Sequence, residues 1–118
     1  MTDTKRPINF HKAYHAHVYF DEETKVSAKK LCDASAEQFH LKVGRFHEKL
    51  VGPHPRWSCQ VTFSSKDFDR YIPWLDENKE SLTVFVHGLT GDDLKDHTEF
   101  AYWLGQEVKL NLDFFENT

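Results

Sequence analysis

Cysteine and long apolar runs are both scarce in this sequence, and each shortage excludes a class of protein. The 118 residues include two cysteines, too few for the disulfide framework of a small secreted domain. Cys32 and Cys59 also lack the CxxC spacing of redox and zinc motifs, so we expect reduced thiols in the core. No stretch approaches the ~20 apolar residues that span a bilayer. Residues 1–9 lack the apolar segment of a secretory signal, and the expected location is therefore cytoplasmic.

Basic residues are too few and too scattered for a surface that binds polyanions. The 15 Lys and Arg residues are outnumbered by 19 Asp and Glu, which gives a formal net charge of -4 at pH 7. Affinity for nucleic acids and for anionic membranes comes mainly from clustered Lys and Arg, so we expect neither partner. The length fits a single domain spanning residues 1–118, with enough chain for a hydrophobic core.

Histidine, by contrast, is abundant, with eight in the chain. The segment Tyr14–Phe20 alternates polar-ring residues with smaller or apolar ones, and a strand there would place His15 and His17 on one face. The segment Leu82–His87 alternates in the same way and delivers His87. Because neutral imidazole is a common ligand of zinc, copper and non-heme iron, we predict that these three histidines bind one metal ion. The alternative is a polar sheet surface that faces solvent or a second subunit.

Hydrophobic periodicity and turn residues predict an α+β order of elements. Strands are expected at residues 14–20, 45–51, 57–63 and 82–87, helices at about 24–40 and 66–78, and a C-terminal helix at about 91–105. The order β-α-β-β-α-β is typical of a ferredoxin-like sandwich, in which a four-stranded antiparallel sheet carries two helices on one face. Tail residues 110–115 can add an extra edge strand or dock on a neighbouring subunit, and Pro73 is expected to kink or end the second helix.

The predicted fold brings the histidines together. In the usual 4-1-3-2 strand order of a ferredoxin-like sheet, the first and fourth strands are antiparallel neighbours, so His15 should lie beside His87. The apolar residues of both strands are expected to face the helices, which leaves the histidines and Tyr19 on the opposite, uncovered face. That face needs a cover, which the loop at residues 88–91, the last helix, the turn at residues 52–55 or a second subunit can supply, and we expect a homodimer.

Other side chains are candidate substrate contacts or additional ligands. Tyr19 can stack on an aromatic ring, although aromatic residues in a small domain are more often core. Arg45 and His47 are predicted to share a strand face that is either solvated or binds a substrate carboxylate. No acidic residue stands out as a ligand, so a three-histidine site is as plausible as two histidines and a carboxylate. The acidic candidates are Asp92, Asp93, Asp96 and Glu48.

Four segments together resemble a known family. They are Tyr14–Phe20, Gly52-Pro53-His54-Pro55, Val86-His87 with Gly91–Thr98, and Trp103-Leu104-Gly105. In order and spacing, from about residue 13 to 105, they are similar to the small, aromatic-ring-cleaving DOPA 4,5-dioxygenase family. One place departs from the family pattern, in the loop expected to line the substrate pocket. Pro-Asn follows the fourth-strand histidine in the family, whereas Gly88-Leu89 follow it here.

The resemblance implies an extradiol dioxygenase, which uses a divalent metal and O2 to open the ring of a catechol such as DOPA. Fe(II) is preferred over zinc as the ion on His15, His17 and His87. His54 and His97, which the residues alone leave open as turn and helix positions, become candidates for moving protons or orienting O2. One alternative is a non-catalytic, homodimeric module that binds a small aromatic ligand or a metal. Another is a zinc hydrolase, although the chain has no HExxH motif.

Overall fold

The computed structural model describes residues 5–116 as an α+β fold built on one antiparallel sheet. The strands are β1 (Ala13–Phe20), β2 (Lys42–His47), β3 (Trp57–Ser64), β4 (Thr83–Gly88) and β5 (Ala101–Leu104). The helices are α1 (Lys25–Phe39), α2 (Ser65–Asn78), α3 (Asp93–Asp96) and α4 (Asp113–Glu116). Among the described residues no helix is long and apolar enough to cross a bilayer.

The two long helices lie where their sequences predict. α1 ends at Phe39 and is capped by His40, whose φ of 56° places it in the left-handed conformation that often closes a helix. At the start of α2 the Ser64 side chain accepts a hydrogen bond from the backbone N–H of Lys66, as an N-cap residue does. α2 continues past Pro73 to Asn78, so this proline does not end the helix.

The sheet places β1 at its centre. Its order is β2-β3-β1-β4-β5, and every neighbouring pair is antiparallel. The first four strands follow the predicted order. In the β1–β4 pair His15 lies opposite His87 and His17 lies opposite Phe85. The prediction that these two strands bring their histidines together is therefore confirmed.

β2 lies earlier in the chain than predicted. It spans residues 42–47 instead of 45–51, so that Gly44 lies inside the strand and does not precede it. The register with β3 shifts between Val43 and Phe46, and both of these side chains pack against the core on the helix side. Glycine inside a strand commonly marks such a bulge, because it has no side chain to pack.

The prediction of a C-terminal helix at 91–105 is wrong beyond the first helical turn. Only Asp93–Asp96 is helical, and Ala101–Leu104 forms β5 beside β4. All four β5 residues are buried, because alternate side chains join apolar layers on the two sides of the sheet. A short strand buried on both faces lacks polar alternation, so its apolar residues fit helical spacing equally well. The extra edge strand is therefore β5, and the described part of the tail ends in α4.

Side chains fill both sides of the sheet. On one side α1 and α2 pack on the strands through a core that includes Ala28, Leu31 and Cys32 of α1 and Phe68, Tyr71, Ile72 and Leu75 of α2. On the other side a smaller cluster consists of Tyr19, Phe85, Ala101, Trp103 and Leu110. Leu110 belongs to the tail, so the tail helps to cover this second face. Both cysteines are free and buried, as predicted.

Candidate metal centre

Three histidines meet on the side of the sheet opposite the long helices. His15 and His17 project from β1 and His87 from β4, while the residue between the first two and the residue before the third lie in the helix-side core. One ring nitrogen from each histidine lies within 4.8 Å of the other two. Within residues 5–116 no other group of three or more His, Cys, Asp or Glu side chains reaches this geometry. The predicted convergence is confirmed.

The spacing of these nitrogens fits a shared ion. The closest pair is Nε2 of His17 and Nε2 of His87, which lie 3.0 Å apart. Two nitrogens that each bind one ion at about 2.1 Å are separated by about 3.0 to 3.4 Å for common ligand angles. Three imidazole nitrogens in this arrangement suit a divalent transition metal. The residues present therefore fit the metal that the sequence predicts.

The His87 ring is held in the tautomer that a ligand needs. Its Nδ1–H donates to the backbone carbonyl of Gly88 at 2.9 Å, which leaves a lone pair on Nε2. In the metal-free protein His17 must then donate its own Nε2–H to this lone pair across the 3.0 Å contact. When His17 binds a metal through Nε2, that proton has to move to Nδ1, so the ring changes tautomer and stays neutral.

Burial keeps the three rings neutral. His17 is 5% exposed and His87 3% exposed. Desolvation lowers the pKa of His87 to about 3 and the pKa of His17 well below its ordinary value, and repulsion from neighbouring imidazoles acts in the same direction. Desolvation also lowers the pKa of the half-buried His15. Because only a neutral ring offers a lone pair, all three are competent ligands near pH 7.

The turn between β2 and β3 adds a fourth histidine. Gly52, with a φ of +58°, takes the left-handed conformation that starts this turn. It carries His54 to a position where its ring centroid lies 4.1 Å from that of His17. The His54 Nδ1 lies 2.8 Å from the hydroxyl of Tyr19. Burial lowers the pKa of His54 to about 4 and raises the pKa of Tyr19, so both are neutral near pH 7.

A fifth histidine follows α3. The Nδ1–H of His97 donates to the backbone carbonyl of Asp93 at 2.7 Å, which fixes the ring at the end of the helix. Its centroid lies 4.3 Å from that of His87 and 6.2 Å from that of His54. Both histidines that the family resemblance offers for proton transfer therefore lie beside the candidate ligands.

Aromatic side chains form a wall next to the histidines. The ring of Phe85 stacks on Trp103 at a centroid distance of 4.8 Å and on His17 at 5.7 Å. Tyr19 and Leu110 belong to the same buried cluster. An apolar wall of stacked rings beside convergent polar groups is the arrangement that small-molecule sites commonly have.

A cleft of about 660 Å³ opens beside His97, between β5 and the tail. Its walls include Trp103 and residues 107–113. The tail is tied to the turn that carries the fourth histidine, because the backbone N–H of Asn111 donates to the carbonyl of Pro53 at 2.8 Å. The sheet face that was expected to be uncovered is thus covered by the chain's own turn and tail. The tail, which was predicted to add an edge strand or to dock on a neighbouring subunit, instead contributes to this cover.

Arg45 and His47 lie farther from the histidine cluster. His47 pairs with Ser58, and Ser58 pairs in turn with Tyr19. Two strand spacings, about 10 Å, therefore separate the His47 backbone from β1. Arg45 is exposed in the irregular part of β2. Their contact with a substrate carboxylate stays a prediction.

Two of the acidic candidates are engaged with other partners. The buried Asp96 carboxylate accepts the Thr90 backbone N–H at 3.0 Å and its hydroxyl at 2.5 Å, which fixes the loop after β4. Glu48 forms an ion pair with Lys25 at 3.1 Å. In the described part of the chain the candidate metal-ligand group is therefore three histidines without a carboxylate.

Comparison with known proteins identifies the family. Residues 14–114, which include all five clustered histidines, match the sequence profile of the Dopa 4,5-dioxygenase family. The chain belongs to this family. A crystal structure described as a "putative dioxygenase" of Nostoc punctiforme has a TM-score of 0.87 and 37% sequence identity, with 91% of this chain and 93% of that chain covered.

Two curated relatives are longer proteins. An uncharacterized 21.2 kDa protein of Botryotinia fuckeliana is 33% identical over 85% of this chain. The DOPA 4,5-dioxygenase of Amanita muscaria is 30% identical over 86% of this chain. The chain spans 61% of the first relative and 48% of the second.

The departure from the family pattern at Gly88 has a structural counterpart. The Gly88 backbone N–H donates to the carbonyl of Phe100 at 3.1 Å, a bond that proline cannot make. A Cβ atom at this position would lie 2.6 Å from the His11 ring. Gly88 and His11 are therefore a matched pair in this member of the Dopa 4,5-dioxygenase family, since a larger residue at 88 requires the ring to move.

Proposed function

We propose that the protein is a metal-dependent extradiol dioxygenase that opens the ring of a catechol, DOPA or a related dihydroxyphenyl compound, with O2. The observation that carries the proposal is the convergence of three neutral imidazoles, two buried and one half-buried, on a sheet face that also presents stacked aromatic rings. Membership of the Dopa 4,5-dioxygenase family supports the reaction class.

The residues of the site differ in their proposed tasks. His15, His17 and His87 would hold the ion, with Fe(II) preferred and zinc as the alternative. When bound, the ion would polarise the catechol oxygens and provide a place for O2. Phe85 and Trp103 would pack against the aromatic ring, in the way that offset aromatic pairs do.

Proton transfer is the task of the two remaining histidines. A catechol loses hydroxyl protons as it is activated, and a positioned imidazole can accept or return them. His54 and His97 flank the candidate ligands at centroid distances of 4.1 Å and 4.3 Å. Tyr19, His47 and Arg45 remain the proposed substrate contacts, with the last two at the outer edge of the sheet.

The direct experiment is anaerobic loading with Fe(II), followed by a catechol and then air. The expected result is a yellow ring-opened product with matching consumption of O2, and loss of both product and bound iron in the variant His87→Ala. His40→Asn is the matched control, because His40 is exposed and has a φ of 56° that asparagine tolerates. If iron-loaded, folded wild-type protein consumes no O2 with any catechol tested, the enzyme proposal fails.

A homodimeric binding module is the competing proposal. It would bind the same catechol without consuming O2, which calorimetry under anaerobic and aerobic conditions distinguishes from catalysis. The observation in its favour is the cleft beside His97, which can hold a small ligand whether or not chemistry follows. Light scattering of the intact chain tests the predicted homodimer independently of either activity.

A further inference from the structure

The hydrogen bonds of His54 and His97 both engage Nδ1, so each ring leaves its Nε2 without a partner in those bonds, but the two bonds run in opposite directions. We propose that His54 presents an N–H to the bound substrate, that His97 presents a lone pair, and that Tyr19 is the positioning residue that sets the His54 tautomer. The catalytic meaning of this assignment rests on the proposed dioxygenase function. The tautomers themselves can be measured without turnover.

The Tyr19 hydroxyl determines the direction of its hydrogen bond. Tyr19 is 2% exposed, and its oxygen lies 2.8 Å from His54 Nδ1. A buried hydroxyl hydrogen needs an acceptor, and in residues 5–116 the unprotonated Nδ1 is the acceptor within reach. Tyr19 therefore donates and Nδ1 accepts. The single proton of the neutral His54 ring must then lie on Nε2, on the far side of the ring from Tyr19.

His97 has the reverse arrangement. Its Nδ1 lies 2.7 Å from the Asp93 carbonyl oxygen, which can only accept a hydrogen bond. The proton of a neutral His97 ring is therefore on Nδ1, and Nε2 carries the lone pair.

The two rings flank the cluster with complementary groups. The His54 centroid lies 4.1 Å from that of His17 and the His97 centroid lies 4.3 Å from that of His87, with 6.2 Å between the two rings. As a catechol O–H bond breaks, its proton passes to Nε2 of His97, and the N–H of His54 stabilises negative charge that develops on oxygen. Pairs of groups whose surroundings assign them opposite roles are common in acid–base catalysis.

Nitrogen-15 NMR of histidine-labelled protein at pH 7 measures the tautomers in the metal-free and the zinc-loaded states. We expect His54 to be protonated on Nε2 alone, and the neutral form of His97 to carry its proton on Nδ1. In the variant Tyr19→Phe the His54 signal should change to a mixture of tautomers, while His97, as the internal control, keeps its signal. A wild-type His54 protonated on Nδ1, or a His54 signal unchanged in Tyr19→Phe, overturns the assignment.

Two replacements of His54 separate hydrogen-bond donation from simple packing. Glutamine can accept from Tyr19 through its amide oxygen and still offer an N–H, whereas leucine fills the space without polar atoms. We expect His54→Gln to retain at least ~10-fold more kcat than His54→Leu, and Tyr19→Phe to lower kcat by at least ~10-fold with little change in KM. Equal kcat values for the two His54 variants contradict the donor role. Expected tautomers without any turnover would contradict the dioxygenase function and leave the hydrogen-bond assignment supported.

Discussion

Acidification should destabilise the metal-free protein well above the pH at which its carboxylates titrate. Burial lowers the pKa of His54 to about 4 and that of His87 to about 3, whereas an imidazole in the unfolded chain has a pKa of ~6.5. Between these values the unfolded chain binds more protons than the folded one, so stability rises with pH across this window. It is fully present above pH ~6.5 and is lost as the pH falls towards the folded pKa values.

The size of the effect follows from those two residues. At pH 4.5 the unfolded imidazoles are almost fully protonated, while the folded rings are still mostly neutral. Because pH 4.5 lies about two units below the unfolded pKa, each ring then lowers the free energy of unfolding by roughly 2.5 kcal/mol relative to pH 7. His54 and His87 together contribute on the order of 5 kcal/mol, and the buried His17 acts in the same direction.

Urea unfolding of chelator-treated protein at several pH values between 7 and 5 measures this effect, because model carboxylates titrate mainly below that range. In the variant His54→Leu, unfolding should take up about one proton fewer than in the wild type. The slope of the free energy of unfolding against pH should therefore be smaller by about 1.4 kcal/mol per pH unit. The control His40→Asn should leave the slope unchanged, since His40 is exposed. A wild-type free energy of unfolding that is flat from pH 6.5 to 5 would refute this account of the buried histidines.

Two further substitutions test the packing around the site. Gly88→Ala places a methyl group 2.6 Å from the His11 ring and should lower the free energy of unfolding in urea by roughly 1–3 kcal/mol. Adding His11→Ala should recover part of that loss. Strict additivity of the two changes would contradict their coupling. Leu110→Ala removes a 9% exposed contact of the tail with the Phe85–Trp103 cluster. It should lower stability by up to about 3 kcal/mol and speed proteolysis of the tail, and a tail that stays equally protected would show that Leu110 does not anchor it.

The sheet face that carries the histidines could be predicted, because alternation along a strand determines which side chains share a face. A shift of one residue in β1 or β4 would exchange the core side chains for the histidines, so the apolar residues fix which face each ring occupies. His15 and His87 then become neighbours as soon as the strand order is known. The three-histidine centre therefore followed from local pattern and topology together.

The incorrect predictions concern segments whose sequence pattern fits more than one structure. In β5 four consecutive apolar residues lie between two layers of side chains, and such a run does not distinguish a strand from a helix. The contact between Tyr19 and His54 joins residues 35 positions apart, and the attachment of the tail at Pro53 depends on a backbone hydrogen bond. Neither contact leaves a periodic signal in the sequence, so only the folded arrangement reveals them.

Metal content is the most direct test of the proposed centre. After loading with Fe(II) or zinc and removal of unbound ions, wild-type protein and the control His40→Asn should each hold about one ion per chain. The double variant His17→Ala/His87→Ala should hold almost none while keeping its far-ultraviolet circular dichroism. A folded double variant that binds as much metal as wild type would contradict the assignment of these histidines as the metal site.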